Sequence, residues 1–217
     1  MSVFLQTTST GDETPPFTWE WIIGVNGHGF SGGSALLRAK AIEEKAKKHI
    51  GDCTMRVANL PRARSKVEAL NALAREAKGD WIALLDCDDT WERDKLAHQK
   101  LVADAFGNTV DIIGTACRYI GDVQSDGPSL PSGWLSPEII ARSNPIINSS
   151  VILRNELGFW VDTFGLEDYD MWLRYSKRGK RFFNVPERLV NHRLHAGSAF
   201  NGKGKQDLAG LRAFHRV

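Results

Sequence analysis

Gly79-Asp80-Trp81-Ile82-Ala83-Leu84-Leu85-Asp86-Cys87-Asp88-Asp89 is the stretch whose reading decides the fold. The apolar run from Trp81 to Leu85 is too short for a helix and is bounded by Gly79-Asp80. It reads as a strand buried on both faces, as in a parallel sheet under helices. Its carboxyl end carries Asp86, Asp88 and Asp89. In open α/β sheets ligands bind beyond the carboxyl ends of strands. Carboxylates this close repel one another unless a cation or a donor-rich ligand lies between them. Hard oxygen ligands suit Mg²⁺ or Mn²⁺, and Mg²⁺ typically takes one or two carboxylates plus substrate phosphates. Helix capping is the competing explanation, with Asp89 or Thr90 capping a helix that begins at Trp91. Capping accounts for one acid and poorly for Asp86 and Asp88 together.

Working outward, Ser65 to Lys78 has Val67, Leu70 and Leu73 at helical spacing and is closed by Gly79, so a helix leads straight into the acidic strand. Thr54 to Ala58 reads as the preceding strand, which completes a β-α-β unit. Trp19 to Val25 is a further strand, ending in the glycine-rich turn Asn26 to Gly33. Such a turn lets backbone approach a ligand closely, although a plain flexible loop has the same composition. Ala35 to His49 is an amphipathic helix. Beyond the acids, the pattern gives a helix over Trp91 to Phe106, a strand over Thr109 to Ile113, and a second strand or its continuation over Ala116 to Ile120. Gly121 to Ser136 is a Gly/Pro/Ser-rich loop of the kind that forms lids. Within it Trp134 is either a platform for a ring-shaped ligand or an anchor in the core. A short helix at Pro137 to Arg142, a strand at Ser149 to Arg154, a helix starting near Glu167-Asp168, and strands at Arg181 to Val185 and Arg188 to Val190 follow. Alternating strands and helices define an α/β class.

The 217 residues suffice for one domain with a real core, and the net charge of +2 gives no reason to expect nucleic acid as a partner. The three cysteines, Cys53, Cys87 and Cys117, are scattered and suggest neither zinc nor disulfides. Cys87, flanked by carboxylates, reads as a small filler. No apolar run is long enough to span a membrane and no signal-like N-terminus is present, so a cytoplasmic location is expected.

Three motifs in order carry a family resemblance: Lys66…Asn71…Gly79-Asp80…Leu85-Asp86-Cys87-Asp88-Asp89, then Leu166-Glu167-Asp168-Tyr169-Asp170-Met171-Trp172-Leu173, then His192-Arg193-Leu194-His195. Together they resemble the successive motifs of family 2 glycosyltransferases over roughly residues 19 to 198. The resemblance implies a GT-A fold, with a mostly parallel central sheet flanked by helices, in one domain spanning 1–217. Residues 1–18 are then an atypically short N-terminus and 199–217 a C-terminal tail. It further implies inverting transfer from a nucleotide-diphospho-sugar, a UDP-sugar for preference, to a glycan, lipid-linked or protein acceptor. Asp86-Cys87-Asp88 matches the Asp-x-Asp motif: Asp88 would hold Mn²⁺ or Mg²⁺, and Asp86 the ribose or a metal-bound water. Asp168 matches the catalytic base, with Glu167 orienting it or holding the acceptor. His195 matches a histidine that meets the metal or diphosphate, and Arg193 the cation on the diphosphate. Asn26 and Lys66 fall at nucleotide-facing positions.

The chemistry suits these residue types. Attack at the anomeric carbon needs a base within hydrogen-bond reach of the acceptor hydroxyl. The departing nucleoside diphosphate gains charge that cations can offset. Two departures stand out. Asn26 replaces the family's usual carboxylate, and Ser2-Val3-Phe4-Leu5-Gln6-Thr7 resembles the end of the family's first helix only a few residues after Met1. The expectation is a late start of a longer domain, the alternative a first strand at Val3 to Leu5 with the helix deleted. A non-catalytic nucleotide- or glycan-binding domain is the competing function. A nucleotidyltransferase is disfavoured because no glycine-rich basic loop opens the chain.

Overall fold

The computed structural model describes residues 18–26, 33–46, 53–161, 164–196 and 206–217. The stretch Ser2 to Thr7, most of the glycine-rich turn after Asn26 and the beginning of the C-terminal tail lie outside the described residues. The chain divides into two compact units: residues 16–82 with 155–160, and residues 83–154 with 161–217.

The first unit contains β1 (Trp19–Asn26), α1 (Ser34–Ala46), β2 (Cys53–Leu60) and α2 (Lys66–Glu76). β1 and β2 pair in parallel from Trp19↔Cys53 to Asn26↔Leu60, which makes the first three elements a crossover unit. Val25, Leu36 and Ala39 form a small core, with Ile23 and Val57 packed against it. Gly24 permits close packing of α2, because a Cβ there would lie 2.7 Å from Cδ1 of Leu73. Ser65 caps α2: its Oγ accepts the Glu68 N–H at 3.1 Å, and Glu68 accepts the Arg64 N–H at 2.8 Å. That is a variant of the reciprocal capping box. Segment 155–160 joins this unit through a two-way clamp. Asn71 Nδ2 donates to the Trp160 carbonyl at 2.8 Å, and the Trp160 N–H donates back to Asn71 Oδ1 at 2.9 Å.

Strand β3 (Trp81–Ala83) leads into the second unit, whose sheet has the order β3-β7-β5-β8-β4, with β6 paired to β8. The remaining strands are β4 (Thr90–Trp91), β5 (Ile112–Gly121), β6 (Gly133–Leu135), β7 (Ile152–Arg154) and β8 (Phe182–Leu194). The helices are α3 (Lys95–Phe106), α4 (Pro137–Arg142), α5 (Glu167–Lys177) and α6 (Leu208–His215). The two long pairings, β1 with β2 and β5 with β8, are parallel. The short ones, β4 with β8, β5 with β7 and β6 with β8, are antiparallel. Ile112, Ile113, Val151, Leu153, Phe182, Met171 and Trp172 form the buried centre.

Four local expectations change. The acidic strand is shorter than its apolar run, and Ala83 within it is exposed, so it is not buried on both faces. The next helix begins at Lys95 instead of Trp91. Thr90-Trp91 pairs with Asn191 and Val190 of β8, and the Trp91 indole N–H donates to the Ser149 carbonyl at 2.7 Å. That buried bond and the strand pairing together outweigh local helix propensity. Residues 182–190 form part of one strand, whose register shifts around Ala116 of its partner. The irregularity coincides with Pro186, which has no N–H for the ladder. Finally, 148–150 is a 3₁₀ turn and the strand begins at Ile152.

Candidate active site

β4 and β8 run antiparallel, so the loop 86–89 before β4 lies beside residues 192–195 at the end of β8. This is the structural reason two distant sequence motifs meet. Asp88 Oδ2 lies 3.2 Å from His195 Nε2, and both side chains are substantially exposed. Arg193 Nε donates to the Asp88 carbonyl at 2.9 Å. Asp89, by contrast, is buried. Its carboxylate accepts the Arg193 backbone N–H at 2.7 Å and meets His192 Nδ1 at 3.0 Å. Burial alone would raise the Asp89 carboxyl. Hydrogen bonds from His192, Ser149 and the Arg193 backbone, with the His192 charge, outweigh it and hold the group below its usual range. Burial pulls His192 down, but the Asp89 hydrogen bond and the charges of Asp89, Asp86 and Asp88 push it above its ordinary value. Asp89 therefore ties the acidic loop to β8, while Asp88 and His195 face outward.

Asp86 is held from another direction. Its backbone N–H donates to Ser149 Oγ at 3.0 Å, and its Oδ2 accepts the Asn148 amide at 3.1 Å. Behind this loop Lys95 is fully buried, with Nζ 2.7 Å from Gln99 Oε1 and 4.1 Å from the Trp91 ring centroid. Burial drives its pKa well below the lysine norm. Gln99 Nε2 in turn donates to the Ile113 and Ser150 carbonyls, at 2.8 Å each.

Asp168 lies in the first turn of α5, where the helix dipole favours a carboxylate. Its Oδ2 accepts the Asn144 amide at 3.0 Å and its Oδ1 the Tyr169 N–H at 2.7 Å. Glu167 precedes it in the same turn, while Tyr169, Trp172 and Leu173 point into the core. The capping position is Leu166, whose side chain makes no capping bond, and Asp168 serves a first-turn N–H from inside the helix. In the first unit Asn26 ends β1 and its amide lies 3.5 Å from the Ser65 carbonyl, next to Lys66 at the start of α2. The predicted residues thus fall into four places: Asn26 with Lys66, Asp88 with Arg193 and His195, Asp86 against Asn148 and Ser149, and Glu167 with Asp168.

Sequence reasoning missed Asn144, Asn148, Ser149 and the tie from Asp89 to His192. Asn144-Pro145 and Asn148 carried no site signal and Ser149 read as the start of a strand, although Asn and Ser are the residues that bond neighbouring polar groups from turns. Trp134 packs edge-on against Phe106 and Phe183, with centroids 4.8 and 5.5 Å away. The Arg181 guanidinium lies over its ring at 4.2 Å, so it anchors its loop.

A divalent ion is part of the expectation, so the donor set matters. Among the described residues no group of three or more His, Cys, Asp or Glu side chains is gathered to hold a metal. Asp88 and His195 offer one oxygen and one nitrogen in direct contact. That fits a hard cation whose remaining ligands come from phosphates and water. Cys87 is exposed between the acids, and Cys117 is buried with its thiol pushed up to about 11 by burial and the Asp89 charge. Among the described residues no helix is long and apolar enough to cross a membrane.

The mixed α/β sheet with its helices is the fold of GT-A glycosyltransferases, as the solved structures it resembles show. S. aureus TarS 1-349 in complex with UDP-GlcNAc superposes with a TM-score of 0.61 at 13% identity, over 87% of this chain and 62% of that one. Mannosyltransferase PcManGT from Pyrobaculum calidifontis, in complex with GDP-Man and Mn²⁺, gives 0.60 at 14% identity, over 90% and 63%. The chain belongs to glycosyl transferase family 2, whose sequence model matches residues 31–150. One relative is UDP-Glc:alpha-D-GlcNAc-diphosphoundecaprenol beta-1,3-glucosyltransferase WfaP of Escherichia coli, 26% identical over 164 residues. The alignment covers 69% of this chain and 62% of that relative, so the chain spans less than two thirds of its length.

Proposed function

We propose that this protein transfers a sugar from a nucleotide-diphospho-sugar to an acceptor hydroxyl with inversion at the anomeric carbon, assisted by a divalent ion. The observation that carries the reading is the meeting of Asp88 with His195 and Arg193 at the end of β8. It joins a carboxylate oxygen, an imidazole and a guanidinium, a set that suits a divalent ion and a diphosphate.

In this reading Asp168 accepts the proton of the acceptor hydroxyl as that oxygen attacks the anomeric carbon. The bond from that carbon to the diphosphate oxygen breaks, and the nucleoside diphosphate leaves with the electron pair. Arg193 offsets the charge that develops there. Asp88 and His195, with Asp86, would hold Mn²⁺ or Mg²⁺, which supplies charge neutralisation on the leaving group when bound. Glu167 orients the base or the acceptor. Asn26 and Lys66 are retained as nucleotide contacts on the family pattern alone. A UDP-sugar is the donor of choice because the E. coli relative is named for UDP-Glc and TarS was solved with UDP-GlcNAc. A lipid-linked acceptor is favoured by that relative's diphosphoundecaprenol substrate.

Donor hydrolysis in the presence of Mn²⁺ tests this directly. Wild type is expected to release UDP from a UDP-sugar, and Asp168→Asn to bind UDP normally while losing transfer. Equal turnover by wild type and Asp168→Asn would remove Asp168 from the mechanism. No turnover with any UDP-, GDP-, dTDP- or CDP-sugar would favour a binding domain.

A further inference from the structure

We propose that Asn144 and Asn148 are positioning residues, which fix the acidic loop and the acid of α5 from one short segment between α4 and β7. The inference rests on the transferase reading above. Asn144 donates its amide to Asp168 Oδ2 at 3.0 Å, and its own Oδ1 accepts the Ile146 N–H at 3.3 Å. The second bond determines which end of the amide faces the carboxylate, since only the nitrogen can donate. Four residues on, Asn148 donates to Asp86 Oδ2 at 3.1 Å, and Ser149, fully buried, accepts the Asp86 N–H.

The segment between them is anchored. Asn184 Nδ2 donates to the Pro145 carbonyl at 2.9 Å, Ile146 is 1% exposed, and the Ser150 N–H closes the turn onto the Ile147 carbonyl at 2.8 Å. Pro145 also restricts Asn144 to extended backbone. Each asparagine is therefore held in place independently of the carboxylate it serves. An amide suits both positions because it donates to a carboxylate without bringing a charge. A lysine or arginine would pair with Asp168, stabilise its anion and so weaken it as a base. Residues that orient metal ligands from behind typically contribute tenfold or more to affinity or rate.

The test uses the full chain with Asn144→Leu and Asn148→Leu, read by calorimetric titration of UDP with Mn²⁺, by UDP-sugar turnover, and by thermal melting. Asn148→Leu should weaken Mn²⁺-dependent UDP binding about tenfold or more, whereas Asn144→Leu should leave binding within about twofold and lower turnover by about 10- to 100-fold. Asn144→Ala and Asn148→Ala, which remove the donor without adding a branched side chain, should give the same split. The proposal is overturned if neither readout moves, or if both fall together in step with the melting temperature. The functional reading fails separately: a wild type that neither binds nor turns over any UDP-, GDP-, dTDP- or CDP-sugar defeats it, and this proposal with it.

Discussion

Replacing Ser149 with alanine should destabilise the second unit by about 3 kcal/mol. Ser149 is fully buried, and its hydroxyl serves two partners. Its Oγ accepts the Asp86 backbone N–H at 3.0 Å, and it hydrogen-bonds to the buried Asp89 carboxylate. Losing the first leaves a half-buried N–H seeking water, at a cost toward the lower end of about 1–3 kcal/mol. Losing the second removes a donor from a charged group that burial already disfavours, and bonds to charged groups are worth about 1.5–3 kcal/mol. The deleted volume is a single oxygen, so the cavity contribution is small beside these. For a chain of this size about 3 kcal/mol corresponds to a fall of roughly 6–12 °C in melting temperature. Urea denaturation followed by tryptophan fluorescence reads the change, because the Trp91 indole is bonded to the Ser149 carbonyl. A loss below about 1 kcal/mol would refute the claim that this hydroxyl holds the acidic loop, since the midpoint of net hydrogen-bond contributions would then suffice.

Other outcomes follow from the same structure. Gly114→Ala would place a Cβ 2.3 Å from Asn184 Oδ1 and 3.2 Å from Ile146. Asn184 is fixed by the Pro131 and Pro145 carbonyls, so overpacking should lower stability by about 1–3 kcal/mol in thermal denaturation; a neutral variant would show that the contact yields. Asn71→Leu removes both bonds to the Trp160 backbone, and the Trp160 amide should then exchange its hydrogen much faster; unchanged protection would mean another group takes over. Lys95 carries a pH signature. Its pKa is depressed in the folded state, so the unfolded chain binds a proton that the folded one refuses as pH falls below the ordinary lysine value. Stability should therefore be highest above that value and decline with falling pH until the folded pKa is reached. Lys95→Met should flatten that alkaline slope, and a slope identical to wild type in denaturation curves between neutral and alkaline pH would contradict the assignment.

Much of the architecture was legible because it rests on periodicity. The helix α2 announced itself by apolar spacing, and α5 by its core-facing residues and first-turn acids. The acidic strand was recognisable from an apolar run ending in carboxylates. What failed was local propensity where tertiary partners decide. Trp91 reads as the start of a helix, yet it is a strand residue because β8 and the Ser149 carbonyl hold it there. The two strands expected around Pro186 are one strand with an irregularity, since a missing N–H breaks the register without ending the strand. Of the candidate site, the acidic loop stood out as clustered carboxylates, and Asp168, Arg193 and His195 entered through the family resemblance. The amides and hydroxyl behind them were not legible, because Asn and Ser in a loop are ordinary until their partners are known. Asp89 illustrates the limit. Sequence placed three acids together, but only the packing shows that this one is buried and bonded to His192 and Arg193.

The most direct test of the central claim is calorimetric titration of UDP into the protein with and without Mn²⁺, in wild type and Asp88→Ala. The account predicts binding that requires the metal in wild type and is lost in the variant. Metal-independent binding unchanged by Asp88→Ala, or the absence of binding by UDP, GDP, dTDP and CDP alike, would contradict it.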